Sequence, residues 1–137
     1  MATVSRLIPT NALIEANCLS SDAVGDCVYI VGDRVGPLLQ VTRGNPRILT
    51  QIPFVGVIDT KLTTTSCFVR TAGPLTGVYT GLLLNQQLWV GLNGRLTAVQ
   101  SSITALPGSK VAVQQMGVSL ASDIVELWPL QPIIRVG

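Results

Sequence analysis

The chain has 137 residues, of which 47% are hydrophobic and 12% charged, and its formal net charge is +2. This composition excludes a disordered tail, because disordered chains combine low hydrophobicity with high charge. Nine basic and seven acidic residues give no field strong enough to argue for nucleic acid, and no apolar run reaches the roughly 18 residues that span a bilayer. So few charges leave much of the exterior apolar, and we expect copies of the chain or a partner to cover part of it.

The N-terminal part is predicted to be extended and to carry no secretion signal, since no basic stretch precedes an apolar one. Residues 1–12 show little periodicity and form a predicted arm that contains Leu7 and Ile8. Residues 13–19 fit either a short helix or a strand. The turn-like residues 20–22 that follow favour the strand.

The first half of the remaining chain contains several predicted strands. Residues 28–31 form one strand, with a turn expected at Gly32-Asp33 and a return strand at 38–42 that follows Gly36-Pro37. Residues 43–47 form a basic loop rich in Gly, Asn and Pro. The continuous apolar run at 54–58 indicates a strand buried on both faces.

A further strand at residues 67–70 is predicted to end at Gly73-Pro74, and residues 75–84 bridge to the second half.

The strongest local signal in the second half is Asn93-Gly94, which lies between two short apolar runs. This dipeptide tolerates positive φ at both central positions of a tight turn and so predicts a β-hairpin. Because side chains alternate along a strand, Leu88, Val90 and Leu92 are predicted to share one side and Trp89 to point to the other.

The last part of the chain has two more predicted strands, at 110–113 and 124–127. The second ends at Trp128-Pro129, because proline cannot donate to a strand ladder. Residues 131–137 form a predicted C-terminal arm. Its apolar residues, among them Ile133 and Ile134, are expected to pack on something.

The order of signals in the second half repeats that in the first. Tyr29 corresponds to Trp89 and Val57 to Val118, at offsets close to 60 residues. We therefore predict one β domain over residues 13–130, with related halves at about 25–75 and 85–130. The predicted fold is all-β: a small barrel or sandwich of two related β halves with extended N- and C-terminal arms.

No chemistry is predicted for this chain. It has no histidine, which excludes the usual Ser-His-Asp and Cys-His arrangements and the common zinc sites. The cysteines, Cys18, Cys27 and Cys67, have no metal-binding spacing and are expected to be small buried hydrophobes. Asp59-Thr60-Lys61 is similar to the Asp-Thr-Gly loop of aspartic proteases, but Lys61 replaces the glycine, so we predict no catalytic carboxylate pair. We predict no enzyme activity and no catalytic, metal or cofactor site.

The series of structural signals is similar to that of a known class. It comprises Gly25-Asp26-x-Val28-Tyr29, Val55-Gly56-Val57, Cys67-Phe68-Val69, Gly73-Pro74-Leu75, Leu88-Trp89-Val90, Gly94-Arg95-Leu96-Thr97 and Met116-Gly117-Val118. Over residues 13–130 this resembles the capsid decoration (cement) proteins of tailed phages and related head-fibre or tail-fibre β domains. The proline-rich C-terminal tail and the three cysteines depart from that pattern. The resemblance implies a non-catalytic virion protein, made in the host cytoplasm, that binds the outside of an assembled head.

The resemblance also implies partners, namely the major capsid protein and further copies of the chain in a dimer or trimer. Burial of apolar strand and arm surface at subunit seams would provide the binding energy. The candidate capsid or self-contact residues are Leu7, Ile8, Arg43, Arg47, Trp128, Ile133 and Ile134. For Arg43 and Arg47 an ordinary solvated loop remains the alternative to a basic contact finger. The alternative function is a receptor- or glycan-binding β module of a tail fibre or baseplate.

Overall fold

The computed structural model describes residues 12–137, and within them the regular secondary structure is almost entirely β-strand, which confirms the predicted all-β class. The strands are β1 (Ala12–Asn17), β2 (Cys27–Val35), β3 (Leu38–Arg43), β4 (Gly56–Thr63), β5 (Ser66–Thr76), β6 (Gln87–Val90), β7 (Leu96–Thr97), β8 (Lys110–Val113), β9 (Gln115–Ala121), β10 (Ile124–Leu127) and β11 (Ile133–Val136). Single 3-10 turns lie at Leu49–Gln51 and Gln100–Ser102.

The first five strands close into a small barrel, as predicted. Their order is β1-β3-β2-β4-β5, and β1 pairs with both β3 and β5 to complete the ring. The stretch that fitted either helix or strand is therefore a strand, and Ala16 within it is fully buried. The barrel interior is filled by small and β-branched side chains: Ala16, Cys18, Val28, Val41, Ile58, Cys67 and Val69.

The second half extends the sheet from β5 in the order β10-β9-β6-β7. Strands at equivalent positions of the two predicted repeats, β2 and β6, β4 and β9, and β5 and β10, lie in mirrored order about the β5–β10 pair. A second core lies between the halves and contains Cys27, Phe54, Val57, Leu75, Leu88, Val90, Met116, Val125 and Leu127.

Two predicted strand ends are wrong. β2 does not turn at Gly32-Asp33 but continues to Val35, with a shift of register near Gly32, and the chain turns at Gly36-Pro37, directly before the return strand as expected. β5 does not end at Gly73-Pro74 but continues to Thr76. Pro74 is tolerated within β5 because residues 73–76 pair with β10 on one edge only. The proline nitrogen, which cannot donate a hydrogen bond, can therefore face the unpaired edge.

The hairpin predicted at Asn93-Gly94 is present, but the prediction of a tight two-residue turn is wrong. The loop spans residues 91–95, and only Gly94 has a positive φ, of 77°. The Gly94 N–H donates to the Gly91 carbonyl, and the Gly94 carbonyl accepts from the Cys27 N–H at 2.8 Å. A contact with the other half therefore sets the loop geometry, and five-residue hairpin loops built on such turns are common.

The predicted grouping of side chains on β6 is only partly correct. Leu88 and Val90 point into the second core as expected. Leu92, however, packs together with Trp89 against the small cluster around Ile103. It lies in the loop beyond the end of β6, where strand alternation no longer applies.

The C-terminal segment packs on the rest of the chain, as predicted. β11 pairs with β8 in a separate two-stranded sheet, with Ile133 opposite Val113 and Ile134 opposite Ala112. The Gly137 N–H adds a bond to the Ser109 carbonyl. Leu7 and Ile8 lie outside the described residues.

Candidate functional site

The end of β10 presents an exposed tryptophan. The backbone N–H of Trp128 donates to the Met116 carbonyl at 2.7 Å, and the backbone N–H of Leu130 donates to the Gln115 carbonyl at 3.0 Å. These bonds hold the chain along β9 after the strand has ended, although Pro129 interrupts the ladder. The Trp128 side chain is 61% exposed.

Trp128 forms one wall of a shallow, mostly apolar groove of about 280 Å³, which we call the Trp128 groove. It is lined by Gln115, Gly117, Val118, Glu126, Trp128 and Leu130. Glu126 lies opposite Val118 across the β9–β10 pair, so both side chains point to the outer face. Within residues 12–137 the Glu126 carboxylate has neither an ion-pair nor a hydrogen-bond partner.

Gly117, which lines the groove, has no room for a side chain. A Cβ atom at this position would lie 2.2 Å from the Glu126 carbonyl oxygen, which no real contact allows. The two backbones therefore approach closely beneath the outer face.

The two arginines of the basic loop differ in their surroundings. Arg47 donates through Nε to the Thr104 carbonyl at 2.8 Å and through Nη2 to Thr104 Oγ1 at 3.0 Å. It therefore links the loop to the second half of the chain. Arg43 is exposed, and its aliphatic stem packs over Gly94 beside an open depression of about 450 Å³.

The basic loop and the C-terminal strand lie on the same side of the molecule. Arg135 donates through Nη1 to the Ile103 carbonyl at 2.9 Å, and Ile103 directly precedes Thr104, which accepts from Arg47. The Ala112 N–H of β8 donates to the Pro46 carbonyl at 2.8 Å. Ile133 is 70% exposed and Ile134 is 42% exposed. The structure thus groups Arg47 with Ile133 and Ile134, whereas Trp128 belongs to its own groove.

Sequence reasoning missed the exposed apolar side chains on the β2–β3 hairpin. Ile30, Val31 and Val35 are all exposed, although an apolar run normally indicates burial. The hairpin extends past the point where β2 pairs with β4, which ends at Val28. Strand pairing alone determines this exposure, and no local pattern could have indicated it.

A polar cluster that sequence reasoning also missed joins the two halves. The carboxylate of the buried Asp26 lies 3.3 Å from Arg95 Nη1, and the Arg95 guanidinium lies over the Tyr79 ring. The Tyr79 hydroxyl donates to the Gly25 carbonyl and accepts from the Leu96 N–H. Burial, more than any neighbouring charge, raises the pKa of Tyr79. These groups have partners within the chain, so the cluster stabilises the fold.

The three cysteines are buried and free, as expected. Burial raises the pKa of the Cys67 thiol to about 12, and it also raises the pKa of Cys27. Both thiols are therefore protonated at neutral pH and unreactive. The Asp59 carboxylate lies on β4 and forms an ion pair with Arg70, with Oδ2 3.3 Å from Nη2.

Residues 12–137 contain no group of three or more His, Cys, Asp or Glu side chains able to hold a metal ion. No helix in this part of the chain is long and apolar enough to cross a membrane. No protein-family model, curated protein or solved structure matches the chain. The resemblance to phage decoration proteins therefore rests on the residues quoted above.

Proposed function

We propose that the protein is a structural virion component that binds the outer surface of a phage capsid and bridges adjacent capsid subunits. The supporting observation is the number of large apolar side chains that remain exposed on a well-packed β fold. They include Trp128, Ile133 and Ile134, which are among the proposed contact residues. Exposed apolar surface of this kind is typical of a protein that binds a partner or a second copy.

Burial of this surface at subunit seams would drive attachment. A seam of standard size removes about 1,600 Å² from water, and each Å² of apolar area contributes about 25 cal/mol. Only the excess over the cost of association becomes affinity. Repetition on a symmetric shell adds avidity, because binding at one site raises the local concentration at the next.

The proposed partners are the major capsid protein and further copies of this chain, in a dimer or trimer. Attachment would place the protein on the capsid exterior after its synthesis in the host cytoplasm. The role requires no catalysis. The proposed contacts are the seven residues named from the sequence, of which Leu7 and Ile8 lie outside the described part.

Binding to shells that lack the protein tests this function. We expect purified protein to saturate capsid shells of its own phage at a fixed number of copies and to raise their resistance to heating. Trp128→Ala is expected to weaken binding by about tenfold or more, as removal of a central aromatic contact does. Leu84→Ala, which changes an equally exposed apolar residue elsewhere, is the control. Absence of saturable shell binding by the unmodified protein would contradict the proposal.

A specific observation also favours a second candidate, a glycan-binding module. The Trp128 groove combines an exposed aromatic ring with the polar groups of Gln115 and Glu126. This combination suits a sugar, whose apolar face packs on aromatic rings and whose hydroxyls need hydrogen-bond partners. Saturable binding to cell-surface glycan without shell binding, abolished by Trp128→Ala, would favour this function over capsid attachment.

A further inference from the structure

The open depression beside Arg43, which we call the Arg43 depression, brings two separate loops to one concave surface. It has a volume of about 450 Å³ and is lined by residues from the range 43–51 and by residues 92 and 93. Its polar side chains are those of Arg43, Asn45, Gln51 and Asn93. Within the described residues no Asp or Glu contributes to the lining, so the depression carries one positive charge and no negative one.

The three amide side chains of the depression all have their oxygen occupied by a backbone N–H. Asn45 Oδ1 accepts from the Arg47 N–H at 2.9 Å, and Gln51 Oε1 accepts from the Asn45 N–H at 2.8 Å. Asn93 Oδ1 accepts from the Arg95 N–H at 3.1 Å. A backbone N–H bonds to the oxygen of an amide and not to its nitrogen, so these contacts fix which end is the NH2 group.

The NH2 groups are left to donate elsewhere. None of the three has a hydrogen-bond partner within residues 12–137. Asn93 is exposed, and the NH2 groups of the half-buried Asn45 and Gln51 also reach solvent. The free polar ends of the side chains that line the depression are therefore all hydrogen-bond donors.

The Arg43 guanidinium adds a cation to these donors. Its stem lies directly on the hairpin loop, since a Cβ atom at Gly94 would come within 2.5 Å of Arg43 Cγ and 2.7 Å of Cδ. The guanidinium has neither an ion pair nor a hydrogen bond within residues 12–137. The Asp22 carboxylate accepts from the Arg43 backbone N–H, but it is buried against the Thr42 hydroxyl and does not line the depression. The guanidinium can therefore pair with an external anion.

The single charge of the depression favours a carboxylate over a phosphate. A carboxylate carries one negative charge and has about four lone-pair sites on two oxygens, which suits one arginine and several neutral donors. A phosphate monoester carries a charge of about −1.5 to −2 at pH 7 and would need a second cation. The nearby Arg47 does not provide it, because its guanidinium donates to Thr104.

The lining also includes the aliphatic side chains of Ile48 and Leu92. They provide apolar surface for a short methylene stem next to the anionic group. We propose that the Arg43 depression binds a carboxylate carried on a short aliphatic chain, with the Arg43 guanidinium as its ion-pair partner and the three amide NH2 groups as further donors.

This inference concerns the free protein and is measured without capsids. Arg43 is also one of the proposed capsid contacts, so on a shell the carboxylate would come from an Asp or Glu side chain of the capsid protein. That extension rests on the proposed function. Carboxylate binding and shell binding are measured separately, so either can fail without the other.

A nuclear magnetic resonance titration with butyrate at constant ionic strength tests the site. The side-chain NH2 resonances of Asn45, Gln51 and Asn93 should shift along one saturable curve in the millimolar range. Butyramide has the same shape without the charge and should cause no saturable shift, and propyl phosphate should bind more weakly than butyrate. No saturable shift with butyrate, or an equal shift with butyramide, overturns the proposal. Propyl phosphate binding as tightly as butyrate overturns the choice of a carboxylate.

Removal of the cation tests the ion pair. Arg43→Gln retains the Cγ and Cδ atoms that lie on Gly94 and should weaken butyrate binding about tenfold or more, because hydrogen bonds to charged groups are the strong ones. Arg34→Gln removes the same charge from the exposed β2–β3 hairpin, outside the lining, and should leave binding unchanged. Equal weakening in the two variants overturns the assigned pair. Undiminished shell binding by Arg43→Gln would overturn the extension to a capsid side chain.

Charge reversal at the amides tests their role as donors. Asn93→Asp replaces the NH2 group by an anionic oxygen, while the other oxygen can still accept from the Arg95 N–H, and it should abolish butyrate binding. Gln51→Glu makes the same change opposite the Asn45 N–H and should have the same effect. Gln100→Glu adds an equal charge at an exposed residue outside the lining and should retain binding. Binding retained in both depression variants, or lost equally in Gln100→Glu, overturns the donor role.

Discussion

Individual side chains inside the fold have partners that explain their burial. The Asp22 carboxylate accepts from the Leu19 N–H, the Thr42 hydroxyl and the Arg43 N–H. Gln114 bonds to both the N–H and the carbonyl of Phe54, at 2.9 and 2.8 Å. Such buried polar groups cost little when paired and much when left without a partner, so they specify which loops meet.

Glycine at position 117 is required by the close approach of β9 and β10. We expect Gly117→Ala to lower the free energy of unfolding by about 1–3 kcal/mol, because the added Cβ meets backbone that must move. Gly32→Ala is the matched control, since a Cβ there has no atom within 4 Å. Urea unfolding measures both. Similar losses in the two variants would contradict the close approach.

The Cys67 thiol makes stability depend on pH. Its folded pKa is about 12 against an ordinary value of 9.0, so above pH 9 the unfolded state releases this proton first. The unfolded state then binds fewer protons, and stability falls as pH rises from 9 toward 12. Urea unfolding in this range should show a smaller loss for Cys67→Ala than for the parent protein. Identical losses would contradict the burial of this thiol.

At the scale of elements, β1 closes the barrel and its register decides which side chains point inward. Ala16 pairs with Leu39 on one side and with Cys67 on the other, and it is fully buried. Leu13 on the same strand is 43% exposed.

Substitution on the two faces of β1 tests this register. We expect Ala16→Asp to prevent stable folding or to cost several kcal/mol, because it buries a carboxylate without a partner. Leu13→Asp introduces the same group on the outer face, opposite Arg70, and should change stability by less than about 1 kcal/mol. Circular dichroism during urea unfolding distinguishes them. A greater loss for Leu13→Asp would mean that the register is wrong.

At the scale of the whole molecule, β5 belongs to both halves. Its residues 66–72 complete the barrel, with Val69 in the barrel core, and its residues 73–76 pair with β10, with Leu75 in the second core. The Asp26–Arg95 ion pair provides a further link. A strand shared in this way couples the two cores mechanically and energetically.

We therefore expect the two halves to unfold together. Far-UV circular dichroism reports all strands, whereas the tryptophans lie only in the second half. Their transitions in urea should coincide, as they do for a two-state domain. A second transition seen by circular dichroism but not by fluorescence would show that the barrel unfolds separately.

The mirrored order of strands agrees with the predicted pair of related halves, although gene duplication stays a prediction. Local sequence was sufficient for the strand content, because apolar runs bounded by Gly, Pro and Asn restrict the backbone residue by residue. It also indicated the buried cysteines and the C-terminal packing, since both follow from hydrophobicity. The capsid contacts, the oligomer and the virion location stay predictions.

Only the tertiary structure decided the features that depend on which strands meet. Gly32-Asp33 and Gly73-Pro74 are turn signals by composition, yet pairing with neighbouring strands carries β2 and β5 through them. The exposure of Val31 and Val35, the Asp26–Arg95 pair and the Trp128 groove likewise join residues far apart in the chain. Local propensity contributes tenths of a kcal/mol per residue, roughly, and packing in a closed barrel contributes more, so the long-range contacts prevail.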